Sequence, residues 1–257
     1  MKLIYSPLEQ FEVTNLISLN APIFGYLNFT LTNFALYSLI GFTLITSLHL
    51  AFKGTGSNNT KLIPSQWSIA LESSFASINA IVREQIGLRN EIYLPFIYSL
   101  FFFIIIANLI GNVPYSFTIT TSIILSVGLS FTIFIGVTIL GLTKHGLHFF
   151  SFFIPSGTPL ALVPLLVLIE LTSYLARALS LGVRLFANMF AGHTLLKILS
   201  TFLYQLFSSS LIVAVLTLIP FSIFIALIGL ELAVSVIQAY VFVLLTSSYI
   251  KDAVELH

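Results

Sequence analysis

The stretch Ser180-Leu181-Gly182-Val183-Arg184-Leu185-Phe186-Ala187-Asn188-Met189 places an arginine in the middle of a long apolar run with helical character. A charged side chain near the centre of a bilayer costs about 2.5–3.5 kcal/mol on insertion scales, and more in simulations. Folding alone does not require that cost. We therefore interpret Arg184 as a functional charge that faces a protein partner or a water-filled cavity.

The composition around this stretch is that of an integral membrane protein. Of the 257 residues, 58% are hydrophobic and 7% are charged, and the mean hydropathy is +1.06, whereas soluble domains carry about 25% charged residues. The net charge of +1 offers no basic field for nucleic acid. The absence of cysteine excludes disulfides, Fe–S clusters, zinc–thiolate sites and thiol catalysis.

Apolar runs of about 20 residues predict membrane-spanning helices. We predict three ordinary spans and then two much longer apolar stretches, at residues 30–52, 92–113, 117–141, 160–203 and 208–250. About 43 helical residues reach about 65 Å, roughly twice the hydrocarbon thickness. Each long stretch is therefore either two short spans or one strongly tilted helix. Pro164 and Pro220 lie near their beginnings, where proline is tolerated in a continuous helix.

Residues 63–90 differ from the spans because apolar side chains recur on one side only, with polar side chains opposite. This pattern predicts a helix that lies in the interface plane. A soluble loop helix packed on a partner is the alternative. No soluble domain, repeat or low-complexity tract interrupts the chain, so we predict an all-α fold and a single transmembrane domain over residues 1–257.

The basic residues predict the orientation through the positive-inside rule. If the chain crosses the membrane five times, the following basic residues all lie on the same side: Lys53, Lys61, Arg83, Arg89, Lys144 and Lys251. The N-terminus is then outside and the C-terminus inside. Residues 1–5 are too short for the apolar part of a signal peptide, and polar, acidic residues follow. We expect a bacterial chain or one made inside the organelle that uses it.

The two long stretches, read as one antiparallel hairpin that turns near Gln205 and Ser208–Ser210, bring their few polar residues together. Residues that face each other in such a hairpin have position numbers with a constant sum. This register matches Arg184 with Gln238, Glu170 with Asp252 and, within half a turn, His193 with Glu231. Glu170, Arg177 and Arg184 are spaced by seven and share one face. Small residues accompany them and permit close helix approach: Ser173, Ala176, Ser180, Ala187 and Ala191.

These layers describe two proton-accessible pockets separated by a fixed cation. Imidazole and carboxylate groups at His193 and Glu231 can pass protons near neutral pH, and Glu170 and Asp252 can do so at the inner end. Arg184 cannot be deprotonated, so it can repel protons and attract a partner's carboxylate. Alternatively, buried polar pairs only hold helices together. We expect Lys197 to snorkel to the outer interface, and we assign no role to His49, His145 and His148.

The stretch from Ser180 to Met189 resembles the signature of the F-type ATP synthase subunit a family. Further motifs of that family resemble four other parts of this chain: Ala191-Gly192-His193, Glu231, Gln238-Ala239-Tyr240-Val241-Phe242, and Asn108-Leu109-Ile110 with Pro114. Ser6-Pro7-Leu8-Glu9-Gln10-Phe11-Glu12 resembles the mature start of fungal mitochondrial members, which suggests a removed leader at residues 1–5. In the family an acidic residue can occur where this chain has Gly111.

The resemblance implies a stator subunit that carries protons to and from a rotating c-ring. Arg184 would be the essential arginine facing that ring. His193, Glu231, Asn188 and Gln238 would line the outer half-channel, and Glu170 and Asp252 the inner one, with Arg177 secondary. The long hairpin would face the ring. Expected partners are the c-ring, peripheral-stalk and other membrane-sector subunits, protons and lipid, in the mitochondrial inner membrane with the C-terminus in the matrix.

We expect no cofactor and no metal in this chain. We expect no bound nucleotide either, because the sequence has no glycine-rich phosphate loop. A self-contained secondary transporter would show internal pseudo-symmetry with matching broken helices, which the sequence lacks. An intramembrane hydrolase would need HExxH or a second intramembrane aspartate, and neither is present.

Overall fold

A computed structural model describes residues 6, 8–20, 28–53, 66–113, 116–154, 162–208 and 211–255. Its regular elements, in chain order, are β1 (Asn15–Asn20), β2 (Asn28–Thr32), α1 (Asn33–Lys53), α2 (Gln66–Ile86), α3 (Leu94–Gly111), α4 (Ile123–His145), α5 (Val163–Phe207), α6 (Leu211–Leu216) and α7 (Leu218–Val254). Several earlier predictions fall outside the described residues: the leader at 1–5, Lys61, Pro114 and the turn residues Ser209 and Ser210.

Within the described residues, five helices are long and apolar enough to cross a membrane: α1, α3, α4, α5 and α7. They correspond to the five apolar stretches of the sequence, with ends that differ by a few residues. The largest difference is α7, which begins at Leu218 instead of 208 because Leu211–Leu216 form the separate short helix α6. Helix α4 begins at Ile123 instead of 117, because Ile119–Thr121 form a separate 3-10 turn. The prediction of an all-α integral membrane protein is confirmed.

The first long stretch is one continuous helix, and the second is one long helix preceded by the short α6. Helix α5 runs for 45 residues and α7 for 37, and Pro164 and Pro220 occupy their first turns, where a missing N–H costs no intrahelical bond. The alternative of two short spans in each stretch is therefore wrong. At 1.5 Å per residue α5 is about 67 Å long, far beyond the roughly 30 Å hydrocarbon layer.

A β-hairpin before α1 was not predicted. Strands β1 and β2 are antiparallel and pair Ile17 with Leu31 and Ser18 with Thr30. Asn33, at the start of α1, ties the hairpin to that helix. Its Oδ1 accepts from the Phe34 N–H at 2.8 Å and the Thr14 N–H at 3.2 Å, and its Nδ2 donates to the Glu12 carbonyl at 3.0 Å. Side-chain bonds of this kind satisfy backbone groups that a helix start leaves open.

Helix α2 is amphipathic, as predicted, and ends at Ile86 instead of 90, where a 3-10 helix over Leu88–Tyr93 follows. Residues 63–65 of the predicted helix lie outside the described residues. Leu71, Ile78, Val82 and Ile86 from its apolar side are buried, whereas Trp67 is 71% exposed. Arg83 Nε lies 2.9 Å from Glu91 Oε1 in an exposed ion pair.

The chain divides into two compact units. The first consists of Met1–Leu48, Phe103–Ser122 and Phe186–Gln238, and the second of His49–Phe102, Ile123–Leu185 and Ala239–His257. In the first, the buried side chains include Ile104, Ile119 and Met189. In the second, α4 and α5 approach closely at Gly182, where a Cβ would lie 2.5 Å from Ser130 Oγ and 2.8 Å from the Val127 Cα.

Candidate functional site

The first unit contains a cavity of about 280 Å³ at the predicted outer proton pair. Its walls include Gln10, Asn112, Thr118, His193, Lys197 and Glu231. A water molecule occupies about 30 Å³ in the liquid, so the cavity has room for several waters in contact with polar groups. We call it the outer cavity below.

His193 has a polar neighbour at each ring nitrogen, of which Thr118 is the hydrogen-bond partner and the Glu231 carboxyl a close contact without hydrogen-bond geometry. Its Nδ1 lies 3.0 Å from Glu231 Oε1, and its Nε2 lies 3.0 Å from the Thr118 hydroxyl. The antiparallel register of the sequence had matched His193 with Glu231. Both side chains are largely enclosed, with 12% and 7% exposed. Imidazole and carboxylate at this separation are within the range for direct proton transfer.

Gly192 brings the backbone of α5 against the Glu231 carboxyl. A Cβ at this position would lie 2.8 Å from Glu231 Oε1 and 3.2 Å from its Cδ. Any larger residue would displace the carboxyl, so the lack of a side chain at 192 is part of the geometry of the pair. Gly111 has a similar contact in the same unit, because its Cβ would overlap the Thr118 side chain.

A polar row continues from Glu231 along α7. Glu231, Ser235 and Gln238 follow the i, i+4, i+7 spacing of one helix face, and all three are buried. Ser235 Oγ donates to the Glu231 carbonyl at 2.8 Å. From α3 and the residue after it, Asn108 donates to the Ser235 carbonyl at 3.3 Å and Asn112 to the Ser235 hydroxyl at 2.6 Å.

Gln238 pairs with Asn188, not with Arg184 as the register predicted. Asn188 Nδ2 donates to Gln238 Oε1 at 2.9 Å. Positions 184 and 188 lie one turn apart on nearly the same face of α5, so a register shifted by one turn changes the partner of Gln238 and keeps the face. Gln238 Nε2 and Asn108 Oδ1 are buried without a hydrogen-bond partner among the described residues. One is a donor and the other an acceptor, and such groups in native proteins usually bind ordered water.

The second unit contains a separate charged cluster. Arg177 lies between two carboxylates, with Nη2 3.1 Å from Glu170 Oε1 and Nη1 3.2 Å from Asp252 Oδ2. The register had matched Glu170 with Asp252, and the structure joins them through Arg177. All three side chains are about one-third exposed. Tyr174 and Tyr249 line a small pocket beside Arg177 and Asp252.

Arg184, one heptad after Arg177, has a different environment. It is exposed, and within the described part of the chain it makes no hydrogen bond or ion pair. The five small residues predicted to permit close helix approach are also exposed: Ser173, Ala176, Ser180, Ala187 and Ala191. An exposed strip of small side chains therefore extends on both sides of Arg184 along α5.

Three residues of the site were missed from the sequence. Ser235 had a usable signal, because it lies four residues after Glu231 and three before Gln238 on α7. Thr118 and Asn112 had none, since they reach the site from a connection and a helix end. Lys197, expected at the outer interface, is exposed and lines the outer cavity. Among the described residues no three His, Cys, Asp or Glu side chains gather as a metal site.

Comparison with known proteins gives one consistent result. The family described as "ATP synthase A chain" matches residues 35–251. "ATP synthase subunit a" of Mycosarcoma maydis is 68% identical over 255 residues, which cover 99% of each chain. The proteins of the same name from Emericella nidulans and Neurospora crassa are 51% and 52% identical, each over 99% of this chain and over 98% and 95% of their own lengths.

Proposed function

Because this chain belongs to the ATP synthase A chain family, we propose that Arg184 is its essential fixed charge, facing proton-carrying carboxylates on a ring of partner subunits. The chain is a proton-translocating stator subunit of the ATP synthase membrane sector, and the catalysis of ATP formation belongs to other subunits. It is a multi-pass protein of the mitochondrial inner membrane.

The exposed, unpaired guanidinium of Arg184 is the observation that carries this proposal. A charge in a membrane-spanning helix almost always faces a partner or a water-filled cavity, because lipid cannot solvate it. Arg177 on the same helix satisfies this rule inside the chain, through Glu170 and Asp252. Arg184 has no such carboxylate among the described residues, so its counter-charge must come from another subunit.

The surface around Arg184 suits a ring of packed helices. Transmembrane helices associate mainly through van der Waals packing, so their interfaces are rich in small residues that let backbones approach. The exposed strip of serine and alanine on α5 has this character. A ring that carries its carboxylates past this strip would bring each one next to the arginine in turn.

We assign the outer cavity, His193 and Glu231 to the outer half-channel. Water in the cavity delivers a proton to the imidazole–carboxylate pair. Ser235, Asn112 and Asn108 then extend the polar row, with water bound at the unpartnered amides, to Gln238 and Asn188. Arginine keeps its proton at any physiological pH, so Arg184 cannot relay a proton and blocks direct leakage.

We assign Glu170, Asp252 and Arg177 to the inner half-channel. The two carboxylates are partly exposed, so water can reach them, and Arg177 holds them in place. A ring carboxyl group that leaves the Arg184 surface can release its proton to this acidic cluster.

The basic residues support an orientation of the chain in the membrane. Arg83, Lys144 and Lys251 lie in the last turns of α2, α4 and α7, and the positive-inside rule places such residues on the matrix side. The N-terminus then faces the intermembrane space and the C-terminus the matrix.

Other membrane-sector subunits have surface available on α1, since only 6% of its span is buried within this chain. We propose that the peripheral stalk and neighbouring subunits contact this helix.

The test is Arg184→Ala in the assembled complex reconstituted into liposomes. Proton-driven ATP synthesis should be abolished, because removal of the fixed cation lets the two half-channels connect. Arg83→Ala is the matched control, since it removes an exposed arginine of α2 whose partner is Glu91, and it should synthesise ATP like the unmodified complex. Undiminished synthesis in the Arg184→Ala complex would rule out the proposed function.

A further inference from the structure

Lys197 introduces a positive charge into the cavity that receives protons. It lies one helical turn after His193 on α5, so the two side chains are i, i+4 neighbours on one face. Within the described part of the chain it has no ion-pair partner. The lining of the outer cavity contains one other cation-forming group, His193, and one carboxylate, Glu231; its remaining polar lining residues, among them Gln10, carry no charge.

The His193–Glu231 pair has the chemistry of half a metal site. Imidazole nitrogen and carboxylate oxygen are the ligand atoms that Zn²⁺ and related ions bind, at about 2.0–2.2 Å. The two atoms lie 3.0 Å apart, close enough for one ion to contact both. Such an ion would occupy the lone pairs on which proton transfer depends. With no third His, Cys, Asp or Glu ligand among the described residues, binding would be weak and sensitive to a nearby charge.

We propose that Lys197 is a selectivity residue of the outer cavity, whose fixed positive charge keeps divalent metal cations from the His193–Glu231 pair. The inference rests on the proposed function, because it assumes that this pair takes up protons. Protons still reach the pair by transfer along water and hydroxyl groups such as that of Thr118. A metal ion, in contrast, must itself move into the cavity with both of its charges, so it experiences the full electrostatic repulsion of Lys197.

The expected size follows from Coulomb's law. A single charge about 8 Å from a dication in a water-like medium lowers its occupancy about fivefold, and that of a monovalent ion about twofold. A lower effective dielectric constant in the cavity would enlarge both factors. Salt weakens the effect, because the Debye length falls from about 30 Å at 0.01 M to about 10 Å at 0.1 M.

The experiment titrates zinc chloride against proton-driven ATP synthesis by the reconstituted complex, with zinc on the side that feeds the outer cavity. Lys197→Gln should be inhibited at about fivefold lower zinc at low ionic strength, and the difference should shrink at 0.1 M salt. Lys197→Arg keeps the charge and should behave like the unmodified complex. Lys144→Gln removes an exposed lysine of α4 that does not line the cavity, and its inhibition curve should be unchanged.

A binding measurement identifies the site independently of turnover. Purified Lys197→Gln complex should retain more zinc than the unmodified complex, and His193→Gln added to Lys197→Gln should remove that excess. Equal inhibition of Lys197→Gln and the unmodified complex, or of Lys197→Gln and Lys197→Arg, would overturn the inference. Full synthesis by Glu231→Gln would instead refute the outer half-channel itself, whatever the zinc titration gives.

Discussion

Replacing Gly192 by alanine would separate Glu231 from His193 while leaving the helices that carry them in place. The new Cβ would lie 2.8 Å from Glu231 Oε1, 3.2 Å from Cδ and 3.4 Å from Cγ. An ordinary contact requires the oxygen to retreat by about 0.6 Å, and its present distance to His193 Nδ1 is 3.0 Å. A displacement of this size directed away from His193 would lengthen the contact to about 3.6 Å, beyond the 2.6–3.2 Å separation that proton transfer requires.

The expected consequence is a loss of proton transfer with little loss of stability. The obstructing atoms are the end of a flexible side chain, which can rotate away, and alanine is a better helix former than glycine by about 0.8–1 kcal/mol. Proton transfer requires donor and acceptor within about 2.6–3.2 Å, and a misplacement of about 1 Å can cost 100-fold in rate. We expect at least a tenfold fall in proton-driven ATP synthesis.

The assay compares synthesis by Gly192→Ala and Gly128→Ala complexes reconstituted at equal protein, with assembly checked by native gel electrophoresis. Gly128 is the matched control, because a Cβ there meets nothing within 4 Å among the described residues. It should be fully active. Normal synthesis by an assembled Gly192→Ala complex would refute the claim that the His193–Glu231 contact carries protons.

The remaining predictions concern other contacts. Gly182→Ala should destabilise the assembled complex by about 1–3 kcal/mol, because its Cβ would meet the backbone of α4 at 2.8–2.9 Å; an unchanged melting temperature would contradict the close approach. Thr118→Val removes the hydroxyl 3.0 Å from His193 Nε2 and should slow synthesis severalfold, whereas Thr118→Ser should not; equal rates in both variants would exclude the hydroxyl. Arg177→Gln should cost no more than about 1 kcal/mol if water reaches its ion pairs, whereas a loss of about 3–5 kcal/mol would show a dry cluster that cannot serve as a proton exit.

The five long helices and the His193–Glu231 pair were predictable from patterns in the sequence. The lengths of the apolar runs predicted the helices. The pair was predicted because an antiparallel arrangement of the two long stretches places an imidazole opposite a carboxyl group. The structure brings those two within 3.0 Å. A constant-sum register predicts which faces meet but not the exact turn, which is why Gln238 was matched with Arg184 and lies beside Asn188, one turn further along α5.

Contacts that depend on distances between elements could not be read from the sequence. Gly192 and Gly182 look like ordinary helix glycines until a neighbouring carboxyl or backbone is placed against them. Thr118 reaches His193 from a connection without regular periodicity. Arg177 shares a helix face with Glu170, but nothing in the sequence indicated that it would also bind Asp252. The β-hairpin was not predicted, because strands of six and five residues carry only a weak periodic pattern.

Cysteine crosslinking tests most directly whether the Arg184 face of α5 lies against another subunit. The chain contains no cysteine, so a single introduced thiol is unique in it. Ser180→Cys and Ala187→Cys lie on the exposed strip beside Arg184, whereas Ala178→Cys is the control on the buried side of the same helix, at 3% exposed. In the assembled complex we predict crosslinks from positions 180 and 187 to a proton-carrying ring subunit and none from position 178. Labelling of positions 180 and 187 by a lipid-soluble reagent, with no crosslink to any other subunit, would contradict the account.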